Sequence, residues 1–285
     1  MLKSYLSLVK FSHTIFALPF AMVGFTLAVS QEQYSFGWDK LIFVILCMVF
    51  ARSAAMAFNR YIDRDVDTAN PRTAEVREIP NGTIKAKSAL IFVLINAVLF
   101  MTSSYMLNAL CFYLSPIALL VILGYSYTKR FTALCHLVLG LGLSLSPIGA
   151  YLAVTASFDL LPILFSCIVL FWVGGFDIIY ALQDENFDKK YNLHSIPVLM
   201  GTKNALLFAR FLHVVTSSIL IYIALNYFHN SVLFYGAVII FISLLLNQHR
   251  LVKANDLSKI NIAFFTNNGI ASVIFGILTI LELLF

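Results

Sequence analysis

Residues 160–188 read LLPILFSCIVLFWVGGFDIIYALQDENFD. From Leu160 to Phe176 no side chain is charged, and then Asp177, Asp184, Glu185 and Asp188 arrive in quick succession. A spanning helix needs roughly 20 apolar residues. This stretch supplies them and then ends in acid. Apolar runs of similar length recur near 12–30, 40–61, 88–107, 110–128, 132–155, 160–183, 204–228, 231–248 and 262–285. The whole chain of 285 residues is 60% hydrophobic and 12% charged, against about 25% charged for an ordinary soluble domain. No water-soluble fold hides that much apolar surface. Nine spans use about 180 residues and leave about 105 for termini and loops, too few for a second, soluble domain. The reading is all-α: a polytopic membrane protein, one domain over 1–285, with nine transmembrane helices around a central cavity opening to the cytoplasmic side.

Lysine and arginine give the orientation. With the N-terminus cytoplasmic, every Lys and Arg of the 19 except Lys40 falls on the cytoplasmic side. Adding or deleting one helix would scramble that segregation. The first run follows Lys3 and Lys10 in the manner of a signal peptide, but eight more spans follow without a convincing cleavage site, so it reads as a retained helix. No long presequence precedes it, which favours a bacterial inner membrane over an organelle. The net charge of +5 would suggest nucleic acid in a soluble protein; here it records topology, and neither nucleic acid nor a protein partner is implied. Cys47, Cys111, Cys135 and Cys167 stand singly, without the spacing of a disulfide framework or a zinc site.

The acids are not a mirror of the cations. They gather on the basic side in two windows, 63–67 and 177–188, although positive-inside sorting acts weakly on carboxylates. The first window, MAFNRYIDRDVD at 56–67, places Asn59, Asp63 and Asp67 at successive intervals of four, on one helix face. In the second, Asp177 and Asp184 are seven apart and nearly eclipsed, with Asp188 four further on. Two converging sets of carboxylates repel one another unless a cation intervenes. Hard oxygen ligands on two elements suit Mg²⁺, which keeps several waters and shares its sphere with phosphate oxygens. The competing reading is that each window is an exposed helix end paired with Arg60, Arg64, Lys189 and Lys190.

Groups suited to an anion lie on the same side. Tyr125 and Lys129 are four apart, Arg130 follows, and the 62–87 loop carries Arg72 and Arg77; cations there can hold diphosphate oxygens and a departing pyrophosphate, or simply anchor the topology. Arg52 lies seven residues before Asn59, two turns deeper on the same face. A buried arginine needs an acceptor: either a carboxylate such as Asp177, or a polar group of a second substrate. His13, in FSHTIFALPF at 11–20, can line the same pocket or serve a structural role. The 26 Phe and 13 Tyr suit a groove for an isoprenoid tail and a carbocation, and equally a lipid-facing surface. A cation-coupled transporter is the rival class, but its acids belong near the midplane on broken helices, and no repeat relates the two halves.

These windows, with their spacing, resemble the UbiA superfamily of intramembrane aromatic prenyltransferases, over nearly the whole chain. That family's N-D-x-x-D-x-x-x-D signature stands here as Asn59 to Asp67, its D-x-x-x-D as Asp184 to Asp188, its Y-x-x-x-K as Tyr125 to Lys129, and its basic loop as Asn70 to Gly82. The resemblance implies Mg²⁺-dependent transfer of a polyprenyl group from polyprenyl diphosphate to a ring carbon of a small aromatic acid, within the lipid bilayer. It places Asn59, Asp63, Asp67, Asp184 and Asp188 at the metal–diphosphate positions. Arg72, Arg77, Lys129 and Arg130 fall around the diphosphate, and Arg52 in the aromatic pocket. Asp177 is the candidate base. One departure stands out: the usual second-position Asp is Arg60, which either contacts the diphosphate or weakens a metal site. The local sequence looks like the 4-hydroxybenzoate polyprenyltransferase branch of quinone biosynthesis. Some members of that branch serve the futalosine route to menaquinone, with 1,4-dihydroxy-6-naphthoate as acceptor; ubiquinone and menaquinone are thus both open.

Overall fold

The computed structural model describes residues 2–9 and 16–285. Among the described residues the chain is helical, with no strand. The helices are α1 (Leu2–Leu8), α2 (Leu18–Val29), α3 (Trp38–Ile62), α4 (Arg64–Ala69), α5 (Ala86–Leu107) and α6 (Ala109–Thr128). They continue as α7 (Cys135–Thr155), α8 (Leu160–Ala181), α9 (Glu185–Lys190), α10 (Ile196–Tyr227), α11 (Val232–Leu251) and α12 (Asn268–Leu284). Eight helical segments are long and apolar enough to cross a membrane. The first apolar run, near 12–30, holds the shorter apolar helix α2, whose 12 described residues rise about 18 Å against a hydrocarbon thickness of about 30 Å. Pro19 sits in its first turn, where a missing N–H costs nothing. The chain is an integral, multi-pass membrane protein.

The helices pack as two compact units. The first holds α1 and α3–α6, with α3 laid against α5 and α6. Its core is small-residue packing: Ala54, Ala57 and Ala89 with Leu8, Ile84 and Val93. Without a hydrophobic force between helices in lipid, such small residues let backbones approach and gain dispersion contact. The second unit holds α2 and α7–α12. Its centre is aromatic: Phe20, Phe165, Trp172, Phe234, Phe241 and Phe275 are almost wholly buried, and the Trp172 indole N–H donates to Asn268 Oδ1 at 3.0 Å.

Two prolines interrupt membrane helices, and each is answered by the preceding serine. Pro116 and Pro147 have no N–H for the carbonyl four residues back. Ser115 Oγ donates to Phe112 O at 2.7 Å, and Ser146 Oγ donates to Leu143 O at 2.8 Å. Both orphaned carbonyls are therefore satisfied inside the apolar medium. In the π-helical turn at Ile262–Asn267 the Ala263 carbonyl accepts from Gln248 Nε2 at 3.1 Å and from Asn268 Nδ2 at 3.3 Å.

The contact of α2 with α7 depends on Gly24, where a Cβ would fall onto the Pro147 carbonyl. Backbone cannot move aside as a flexible side chain can. Gly24→Val is expected to cost about 1–3 kcal/mol through overpacking. A lowered midpoint in thermal unfolding of the detergent-solubilised protein checks it, with Gly124→Val, whose added Cβ meets nothing, as the reference.

Candidate functional site

The acids of the first window sit where α3 gives way to α4. Asp63 caps α3 with ψ of 7°, a bend that would break a helical face. The face survives because the Asp63 amide donates to Asn59 O at 2.9 Å and the Asp67 amide to Asp63 O at 2.7 Å. The four-residue stacking of Asn59, Asp63 and Asp67 thus runs through the junction. Asn59 Nδ2 donates to Asp63 Oδ2 at 2.8 Å, and Asn59 Oδ1 accepts from Arg60 Nη1 at 3.0 Å. Arg60 therefore does not oppose the acids as a bare charge. It is buried at the end of α3 and orients Asn59, whose amide in turn holds Asp63.

Asp67 is buried, 4% exposed, and is ion-paired to Arg77. The loop between them is folded back on itself: Thr73 Oγ1 donates to Asp67 O at 2.9 Å and the Arg77 amide donates to Thr73 O at 2.9 Å. Arg72 is exposed, with its amide on Asn70 Oδ1. Arg52 and Tyr125 interact electrostatically within this unit. Glu78, which sequence reading passes over, is buried and interacts electrostatically with Arg60. Its neighbour Glu75 is exposed, and nothing in the local spacing distinguishes the two.

The second window is built in the other unit. After α8 the chain tightens into a 3₁₀ turn, Leu182–Asp184, and re-forms as α9. Asp188 has no exposed side-chain surface and pairs with Lys129, Nζ to Oδ1 2.8 Å. Backbone contacts hold that pair in place. The His194 amide donates to Lys129 O at 2.7 Å, Cys135 Sγ–H to His194 O at 3.6 Å, and the Leu193 amide to Asp188 O at 2.9 Å. Segment 129–136 is thereby tied to segment 188–196. Glu185 belongs to the scaffold: it accepts from Lys189 Nζ at 2.7 Å and from Thr202 Oγ1 at 2.5 Å, just past Gly201, whose φ of 74° interrupts α10. Arg130 is exposed.

Asp177, which the sequence offers as a partner for Arg52, is hydrogen-bonded to His136, Nδ1 to Oδ2 2.7 Å. His136 carried no sequence signal, since its partner is 41 residues away. His13 lies outside the described residues.

The two buried acids, Asp67 and Asp188, thus each hold a basic side chain. Among the described residues no three His, Cys, Asp or Glu side chains form a ready-made metal cluster. The donors present nevertheless fit Mg²⁺: they are hard carboxylate oxygens, and Asp67 Oδ2 is buried without a hydrogen-bond partner among the described residues. Mg²⁺ commonly takes only one or two carboxylates, the rest of its shell being water and phosphate oxygens.

A multi-pass helical protein with acidic, cation-bearing helix ends is, by class, an integral membrane protein with charged side chains gathered at the ends of its spans. The profile of the UbiA prenyltransferase family matches residues 17–269, which takes in parts of both units. A curated protein from Vibrio atlanticus named 4-hydroxybenzoate octaprenyltransferase is 30% identical over 237 residues, 83% of this chain and 82% of its own length. A solved apo UbiA homologue from Aeropyrum pernix superposes with a TM-score of 0.84 at 29% identity, over 95% of this chain and 98% of that one. A UbiA homologue from Archaeoglobus fulgidus, solved bound to GPP and Mg²⁺, shares the fold at a TM-score of 0.78 and 19% identity, over 99% of this chain and 100% of that one. The chain belongs to the UbiA prenyltransferase family. It is a prenyltransferase, and between enzyme and transporter the enzyme stands.

Proposed function

We propose that the chain transfers a polyprenyl group from a polyprenyl diphosphate to a ring carbon of a small aromatic acid, 4-hydroxybenzoate or 1,4-dihydroxy-6-naphthoate, with Mg²⁺, on the way to ubiquinone or menaquinone. The observation that carries this reading is the paired arrangement Asp67–Arg77 and Asp188–Lys129, in a chain matched to a 4-hydroxybenzoate octaprenyltransferase over most of its length. Each pair offers an oxygen for a metal and a cation for a diphosphate. The Mg²⁺ and prenyl diphosphate in the Archaeoglobus fulgidus homologue support the same choice of ligands here.

Asn59, Asp63 and Asp67 at one acidic helix end, and Asp184 and Asp188 at the other, would hold two Mg²⁺ ions, which when bound would neutralise the diphosphate and stabilise it as a leaving group. Lys129, Arg77, Arg72 and Arg130 contact its oxygens by charge-assisted hydrogen bonds, with Tyr125 beside them. Arg60 orients Asn59 and adds positive charge near the diphosphate. Arg52 receives the carboxylate of the aromatic acid, and His13 completes that pocket. As the allylic C–O bond breaks, the ring carbon next to a phenolic hydroxyl attacks, and Asp177 accepts the ring proton. Residues 1–285 act as one prenyltransferase domain in a bacterial inner membrane. The N-terminus is cytoplasmic, on the strength of a Lys and Arg distribution that leaves only Lys40 on the far side.

The test is a competition. Purified protein, Mg²⁺ and a labelled polyprenyl diphosphate are given both acceptors in equal amount, and products are separated by mass spectrometry. One acceptor is expected to gain the prenyl mass at carbon, with transfer lost on chelation of Mg²⁺. Prenylation of neither would remove the aromatic-acid assignment.

A further inference from the structure

Asp177 lies within α8, seven residues before Asp184, which closes the 3₁₀ turn that follows that helix. One of its two oxygens is committed. Oδ2 meets Nδ1 of His136, which is 3% exposed. The other ring nitrogen, Nε2, meets the Ile196 amide at 3.4 Å. An amide nitrogen only donates, so Nε2 is unprotonated and the ring's single proton is on Nδ1, pointing at Asp177. Three helices fix this tautomer: α7 carries the imidazole, α8 the carboxylate and α10 the amide. Among the described residues His136 is the hydrogen-bond partner of Asp177, whose side chain is 22% exposed. Oδ1 is left open. A carboxylate at membrane depth is costly to keep charged, and a donated hydrogen bond to the charged form opposes that cost.

We propose that His136 is a positioning residue for the last step of prenyl transfer: its Nδ1–H holds Asp177 as a carboxylate with Oδ1 presented to the substituted ring. This deepens the prenyl-transfer reading and rests on it. The steps balance. The ring carbon bonds to the allylic carbon as the C–O bond breaks, its electron pair leaving with the diphosphate. The C–H pair of the substituted ring carbon then returns to the ring, the proton passes to Oδ1, and from there to water.

The experiment uses the full chain and an acceptor with and without deuterium at the reacting ring position. Wild type is expected to transfer with an isotope effect near unity. His136→Phe, which removes the donor but keeps an aromatic ring, is expected to lose about 10²-fold in kcat. Its KM for prenyl diphosphate should stay within about twofold, and its isotope effect should rise to about 2 or more as proton removal becomes limiting. His136→Asn restores a donor at the Nδ1 position and is expected to regain about tenfold of that loss. An isotope effect that stays at unity in His136→Phe overturns the proposal, whatever the rate. If that variant does not fold, Asp177→Asn takes its place, and there too an isotope effect of unity overturns it. A wild type that prenylates no acceptor overturns both this proposal and the functional reading; a wild type that transfers beside variants of unchanged isotope effect overturns this proposal alone.

Discussion

Asp63→Ala and Asp184→Ala are each expected to lower Mg²⁺-dependent prenyl transfer by about 10²–10³-fold, the loss typical of removing one preorganised stabiliser of developing negative charge. The two positions suit the test because neither carboxylate is fully buried, so the changes act on chemistry more than on folding. Asp63 lies in the first unit and receives the Asn59 amide; Asp184 closes the 3₁₀ turn after α8 in the second. Loss of either should raise the Mg²⁺ concentration for half-maximal rate, since one oxygen of the shell is gone. Labelled prenyl diphosphate incorporation over a Mg²⁺ series measures both quantities. Asp256→Ala, at an exposed loop carboxylate tied to Ser258, serves as the control. Undiminished transfer in both active-window variants would sink the metal-site assignment.

Much of this was legible in the chain before any coordinates, and for a physical reason. Spanning helices must satisfy their own backbone and bury nothing but apolar surface in lipid, so their existence is written locally, as runs without charge. The stacking of Asn59, Asp63 and Asp67 is likewise a local periodicity, and it persists through the bend at Asp63 because two backbone hydrogen bonds bridge it. What the sequence hides is pairing between elements. Lys129 with Asp188, and His136 with Asp177, join residues distant along the chain, and only helix packing brings them together. Arg60 hides a contact of another kind. A basic residue inside an acidic signature reads as a lost ligand or a gained anion contact; it also hydrogen-bonds Asn59, an interaction with its immediate neighbour that periodicity does not encode. Glu78 gave no signal at all, although it is buried.

The second large effect is expected at Lys129. Its ammonium neutralises Asp188, whose side chain has no exposed surface, while the lysine itself is 35% exposed. Removing one partner of a buried pair leaves a desolvated charge behind, at about 3–5 kcal/mol when both are buried; the lysine's partial exposure brings the expected cost of Lys129→Met to about 2–3 kcal/mol. A metal can take the lysine's place. Mg²⁺ alone is therefore expected to raise the melting temperature of Lys129→Met more than that of wild type, where metal and ammonium compete for the same carboxylate. Transfer should move the other way, falling about 10–100-fold with a raised KM for prenyl diphosphate, because a cation proposed to contact the diphosphate is gone. The opposite signs separate two roles for the residue. A lysine that merely anchors the end of a span would give a variant of unchanged Mg²⁺ response and unchanged KM. A lysine that trades one anion for another gives stronger metal stabilisation and weaker substrate binding in the same protein, and a thermal-shift series beside steady-state kinetics reads both.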